Sequence, residues 1–224
     1  MIVEPLKFSP KEKPKFIVLE GLNGAGKTTL QAEMVKFLTS RGIKTKATRE
    51  PGATEIGKSL RSLVLGAKKG EISELAEMFI FAADRAQHAD KVIRPLINVG
   101  QVVISDRYFY STLAFQGYGR QLGEELVWSI NKIAIDGVIP DLVILLDIDP
   151  MAGLERNKGS SGSTPLKDGP DSFENEELAF HNRIRLGFLS LAKTRPEPFF
   201  VIDATQDRKD VWNSVQEVLS RVYE

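Results

Sequence analysis

The octapeptide GLNGAGKT at 21–28 has the spacing G-x-x-x-x-G-K-[ST], in which each conserved type has a phosphate to serve. Gly21, Gly24 and Gly26 let the backbone wrap an anion with its N–H groups turned inward. The helix expected to start there adds the positive end of its dipole. Lys27 suits the β- and γ-phosphates of a nucleotide, and the Thr28 hydroxyl suits a magnesium ion. Leu22, Asn23, Ala25 and Thr29 complete the candidate cradle. A guanine-binding switch would need N-K-x-D. The nearest matches, NKIA at 131–134 and NKGS at 157–160, both lack the final Asp.

Three other clusters suggest a second substrate. TREPG at 48–52 follows an extended run, and DRY at 106–108 follows another. Asp106 then stands where a strand-end acid meets the metal. Arg107 beside it suits the phosphate of an acceptor, since guanidinium binds phosphate oxygens bidentately. Met78, Phe81, Arg85 and His88 share one helical face. An aromatic ring with an Arg one turn later can stack a nucleobase and meet its carbonyl.

These groups need a frame that brings strand ends together. Short β-branched runs at 16–19, 44–48, 102–105, 142–147 and 199–202 alternate with helical patterns, which predicts an α/β fold of three layers around a mostly parallel five-stranded sheet. Glu20, Asp106 and Asp147 follow three of these runs, on the side where open parallel sheets bind ligands. Residues 71–96 carry Ile72, Leu75, Phe79, Ala82, Ala86, Ala89, Ile93 and Leu96 at helical spacing. That pattern predicts one long helix with a buried stripe, bent near Pro95. Residues 157–170 (NKGSSGSTPLKDGP) read as a mobile loop inside a single domain spanning 16–224, with 1–15 as an N-terminal extension.

Composition narrows the class. The 224 residues contain no cysteine and two histidines, which excludes thiolate metal sites, disulfide scaffolds and a cysteine nucleophile. Thirty basic residues balance thirty acidic ones, so a nucleic-acid partner is not expected. The longest apolar run, LVILL at 142–146, is too short to cross a bilayer, and no signal-peptide pattern opens the chain. A cytoplasmic protein with no membrane partner is the expectation.

LEGLNGAGKTTL, TREPGAT, FAADRAQH, DRYFYSTLAFQG and DLVILLDIDP, in this order and spacing, closely resemble the thymidylate kinase family. The resemblance runs from Phe16 almost to the end of the chain. It implies a P-loop NTPase fold and transfer of the γ-phosphoryl of ATP to dTMP with Mg2+, giving dTDP. It further implies that Phe81 stacks on thymine, Arg85 contacts a ring carbonyl and Arg107 holds the acceptor phosphate. Glu50, Pro51, Ser111 and Thr112 would line the rest of that pocket. The family typically forms homodimers through helices beside the sheet, for which the stripe on 71–96 is a candidate surface. A kinase for another nucleotide or deoxynucleoside, and a nucleotide-binding relative without turnover, are the alternatives.

Departures from the family pattern concern the sugar and the lid. Asn23 stands where most relatives have Asp or Glu, and Phe115 where bacterial members mostly have Tyr; both are expected beside the deoxyribose. Ala53 replaces a usual glycine. Gly24 fits the branch that keeps its catalytic cation in the lid, yet Ser172 stands where many relatives have Arg. Arg156 or Lys158 is therefore expected to bring charge to the transferring group.

Overall fold

In the computed structural model, residues 2–3, 13–159, 173 and 176–223 are described. Most of the expected lid at 157–170, and Ser172 with it, lies outside them. Five parallel strands form the sheet: β2 (Phe16–Gly21), β3 (Thr45–Arg49), β4 (Val102–Asp106), β5 (Leu142–Asp147) and β6 (Phe199–Asp203). Their spatial order is β6-β5-β2-β4-β3, and β1 (Ile2–Val3) adds an antiparallel edge against β6. The inner strands β2, β4 and β5 are apolar runs buried on both faces, as helices on either side of a parallel sheet require. Because β2 is central, its C-terminal end is flanked by those of β4 and β5. Glu20, Asp106 and Asp147 thus come to one edge.

The connecting helices are α1 (Lys27–Ser40), α2 (Glu55–Gly66), α3 (Glu74–His88), α4 (Arg94–Asn98), α5 (Phe109–Thr112), α6 (Glu124–Ile135), α7 (Pro150–Gly159), α8 (Leu178–Thr194) and α9 (Arg208–Tyr223). Thr54 and Ser73 begin α2 and α3 by accepting hydrogen bonds from the N–H groups of Gly57 and Ala76, the ordinary N-cap geometry. α7 runs to Gly159, so the stretch expected as loop from residue 157 starts as helix.

The expected long helix is in fact interrupted. α3 ends at His88, a widened π turn covers Ala89–Ile93, and α4 follows with Pro95 in its first turn. Proline has no N–H and its ring crowds the carbonyl four residues back, so the ladder is perturbed before Pro95 rather than at it. The stripe is not uniformly buried either. Ala82, Ala89 and Ile93 are buried, but Leu75 and Phe79 are 45% and 52% exposed. The inward face of α3 is instead Met78, Arg85 and His88 together with Glu77 and Asp84. Polar groups can face inward there because a hydrogen-bond network receives most of them.

Candidate active site

The loop at 21–28 links β2 to α1 at the C-terminal edge of the sheet. Gly24 is left-handed, with φ 77°, and a Cβ on it would lie 2.0 Å from the carbonyl oxygen of Gly153 in α7. Only glycine fits so close an approach. Gly26, also left-handed, precedes α1, whose first turn has no side-chain cap. The first turn of such a helix presents its N–H groups to an anion. Thr28 Oγ1 donates to Asp106 Oδ2 at 2.9 Å. A hydroxyl and a carboxylate in contact at a phosphate loop fit Mg2+, which takes one or two protein oxygens and completes its shell with phosphate and water.

Lys27 is a first-turn helix residue, 7% exposed, rather than the exposed loop residue its motif position suggests. Its ammonium donates to the carbonyls of Gly21 (3.1 Å) and Leu22 (2.8 Å). Arg107 reaches the same spot from the other side. Its Nη1 donates to Gly21 O at 2.9 Å and to Ser111 Oγ at 3.0 Å, and its Nη2 to Asn23 Oδ1 at 2.6 Å. The guanidinium also lies 5.1 Å from the Phe115 ring centroid. Arg107 has φ 72°, a left-handed conformation uncommon outside glycine. Strain of this kind persists where surrounding contacts over-determine it and clusters at functional sites. Asn23, expected beside the sugar, is here a partner of Arg107.

Glu20 supplies much of that over-determination, and no motif singled it out beyond its strand-end position. It is fully buried. Oε1 accepts the N–H groups of Tyr108 (2.9 Å) and Ser111 (3.1 Å), and Oε2 accepts the Ser111 hydroxyl at 2.6 Å. Burial pushes its carboxyl up to about 7, against the opposing pull of Arg107 and of these hydrogen bonds. Ser111, expected in the pocket lining, gives its hydroxyl proton to Glu20.

The acceptor side rests on a second network. Arg85 is 1% exposed. It donates to Glu50 Oε2 (2.9 Å), Thr112 Oγ1 (2.8 Å), Asn131 Oδ1 (2.5 Å) and the Tyr108 carbonyl (3.2 Å). A second nitrogen reaches Glu50 Oε2 at 2.8 Å, so all five N–H groups are engaged. These bonds fix the guanidinium that the resemblance assigns to a ring carbonyl of the base. Thr112 and Glu50 face Arg85. The other Glu50 oxygen is 2.9 Å from His88 Nδ1, and His88 Nε2 is 2.7 Å from Thr48 Oγ1.

The turn after β3 is held from outside as well. Glu50–Pro51 is a cis peptide, the Pro51 carbonyl accepts from Arg61 Nη1 at 3.1 Å, and Gly52 N–H donates to Asp84 Oδ1 at 3.0 Å. Burial and the nearby Glu50 charge push the Asp84 carboxyl up to about 6. Gly57 makes room for it, since a Cβ there would lie 2.3 Å from Asp84 Oδ1. Phe81 is half-buried, and its ring and that of Phe115 both neighbour Phe173, at 6.1 and 5.5 Å between centroids. Asp147 is paired with Arg185 through two bonds of 2.7 and 2.9 Å, so it does not open onto the site.

On the far side of the loop lies a pocket of about 370 Å³ between α1, α7 and the start of α9, lined among others by Gly24, Thr29, Glu33 and Arg156. Arg156 donates to the carbonyls of Ala204 and Thr205 at 2.6 and 3.1 Å. Its guanidinium is thereby tied to the β6–α9 loop. The Lys158 side chain lies outside the described residues.

A family model described as thymidylate kinase matches residues 19–215. The chain belongs to the thymidylate kinase family. The thymidylate kinase of Desulfovibrio desulfuricans is 44% identical over 196 residues, 88% of this chain and 90% of that protein. That of a Nostoc species is 40% identical over 207 residues, 92% of this chain and 95% of that protein. The crystal structure of thymidylate kinase from Ehrlichia chaffeensis superposes with a TM-score of 0.73 at 31% identity, covering 91% of this chain and 97% of that one.

Proposed function

We propose that the chain is a dTMP kinase, transferring the γ-phosphoryl group of ATP to a phosphate oxygen of dTMP to give dTDP and ADP. The observation that carries this reading is that Lys27 and Arg107 both donate to one atom, Gly21 O, at 3.1 and 2.9 Å. Two cations from different elements converging there suit two phosphate groups that must meet in line. Lys27 and the α1 N-terminus take the donor phosphates, and the donor base enters the pocket beside Thr29 and Arg156. Arg107 takes the acceptor phosphate. Phe81 stacks on the thymine ring, with Phe115 along the sugar.

Thr28 and Asp106 would hold Mg2+, which when bound neutralises charge on the transferring phosphates. The protein's own groups do the positioning. Arg85 holds Glu50 and Thr112 as the floor of the acceptor pocket, and the cations hold both phosphates where charge develops. Arg156 and Lys158, both on α7, are the candidates for the lid cation. ATP and dTMP are cytoplasmic pools, and there we locate the enzyme. Among the described residues no helix is long and apolar enough to cross a membrane.

The second element of this reading is a homodimer. α3 packs between α2 and α6, and Ile56, Leu63, Leu75, Phe79, Leu126 and Ile133 stand exposed on these three helices. Apolar side chains gathered on adjacent helices suit a self-complementary interface. Sedimentation of Phe79→Asp against the parent checks it, with a shift from dimer to monomer expected. The activity is tested with ATP and a panel of dTMP, dUMP, dCMP, dGMP and AMP. dTDP should form fastest by at least tenfold; faster phosphorylation of another acceptor, or no turnover of any, overturns the reading.

A further inference from the structure

We infer that Glu20 is a positioning residue for acceptor binding, acting through the Ser111 hydroxyl on the guanidinium of Arg107. The inference rests on the reading of Arg107 as the ligand of the acceptor phosphate. Its geometry is a three-member relay. Ser111 Oγ donates to Glu20 Oε2 at 2.6 Å and accepts from Arg107 Nη1 at 3.0 Å. A hydroxyl has one proton, and the carboxylate takes it. Its lone pairs are thereby left to the guanidinium.

Glu20 also determines the backbone that displays Arg107. The N–H of the next residue, Tyr108, and that of Ser111 both end on Oε1, while Arg107 N–H donates to Leu19 O at 2.9 Å. The left-handed residue is therefore pinned on both sides by consecutive residues of β2. A side chain serving only to fill space at a strand end would need none of this. Glu20 carries the cost of a buried carboxylate whose hydrogen bonds, among the described residues, come from Tyr108 and Ser111 and from no cation. The charged and titratable groups that act on it are Arg107 from the β4–α5 loop and Lys27 from α1. Tyr110 from α5 is also within its electrostatic reach. The carboxylate thus feels the charge of both proposed phosphate-binding cations, and the Ser111 relay connects it to the acceptor-side one.

The test uses steady-state kinetics with ATP and dTMP on the full chain. Glu20→Gln keeps an acceptor for the two backbone N–H groups but sends an N–H into Ser111 Oγ, where it competes with Arg107. The expected result is a rise in KM for dTMP of fivefold or more with KM for ATP within twofold. Ser111→Ala cuts the relay while keeping the Glu20 side chain and its two backbone hydrogen bonds, and should reproduce that split; it serves equally if Glu20→Gln does not fold. In an Arg107→Ala background Glu20→Gln should add less than twofold. An unaltered KM for dTMP in both single variants overturns the inference, as does an equal penalty with and without Arg107. Arg107→Ala with unaltered KM for dTMP would instead remove the reading of Arg107 itself, and the inference with it.

Discussion

Asn23 Oδ1 accepts from Arg107 Nη2 at 2.6 Å across 84 residues of chain. The phosphate loop therefore steers Arg107, the cation proposed for the acceptor phosphate, through one neutral amide. Asn23→Ala should lower kcat/KM for dTMP by roughly five- to thirtyfold, the value of about 1–2 kcal/mol for a hydrogen bond from a charged donor. Because the amide meets Arg107, the loss should be the same for dTMP and its 3′-deoxy analogue. A loss confined to dTMP would show that Asn23 touches the sugar after all.

Lys27 ties two loop carbonyls and is proposed at the donor phosphates, and the two roles separate experimentally. Lys27→Ala should reduce kcat a hundredfold or more, as loss of one charge-stabilising group in the transition state does. It should also lower stability by roughly 1–2 kcal/mol, since the ammonium ties the Gly21 and Leu22 carbonyls. Thermal unfolding without nucleotide reads the second effect. Turnover within threefold of the parent would sink the phosphate-loop assignment.

Phe81 and Arg85 share a helix face but should fail differently. Phe81→Ala should raise KM for dTMP by an amount equivalent to about 1–3 kcal/mol of lost stacking, with melting little changed. Arg85→Ala leaves Glu50 buried without its guanidinium, a defect that typically costs 3–5 kcal/mol. Denaturant unfolding should show Arg85→Ala as the less stable of the two by a wide margin. Equal stabilities would mean that the buried pair contributes little.

Asp84 gives a pH signature to stability. Its folded carboxyl sits near 6 against an ordinary value of 3.8, so between those values the folded state holds a proton the unfolded state has lost. Stability from this group is therefore greatest at low pH and declines as pH rises through about 6. Asn cannot titrate, and Asp84→Asn keeps an acceptor for Gly52 N–H. Relative to the parent the variant should gain roughly 1–1.5 kcal/mol between pH 5 and 7.5, readable as a few degrees of melting temperature. A pH-independent difference would contradict the raised carboxyl.

The phosphate loop, the parallel strands and the strand-end acids Glu20 and Asp106 were all legible in the 224 residues, because each depends on local spacing. A glycine pattern before a helix start needs only its neighbours, and a buried parallel strand is written as a continuous apolar run. The pairing of side chains was not legible. Arg107 with Asn23, Glu20 with Ser111, and Arg85 with Asn131 join residues 84, 91 and 46 positions apart. Periodicity also grouped Leu75 with Phe79 on one face of α3, but a period records which residues share a face, not what that face meets. Only packing against α2 and α6 turned that face outward and put Arg85 and His88 inside, where burial favours pairing their donors with the acceptors of Glu50, Thr112, Asn131 and Thr48.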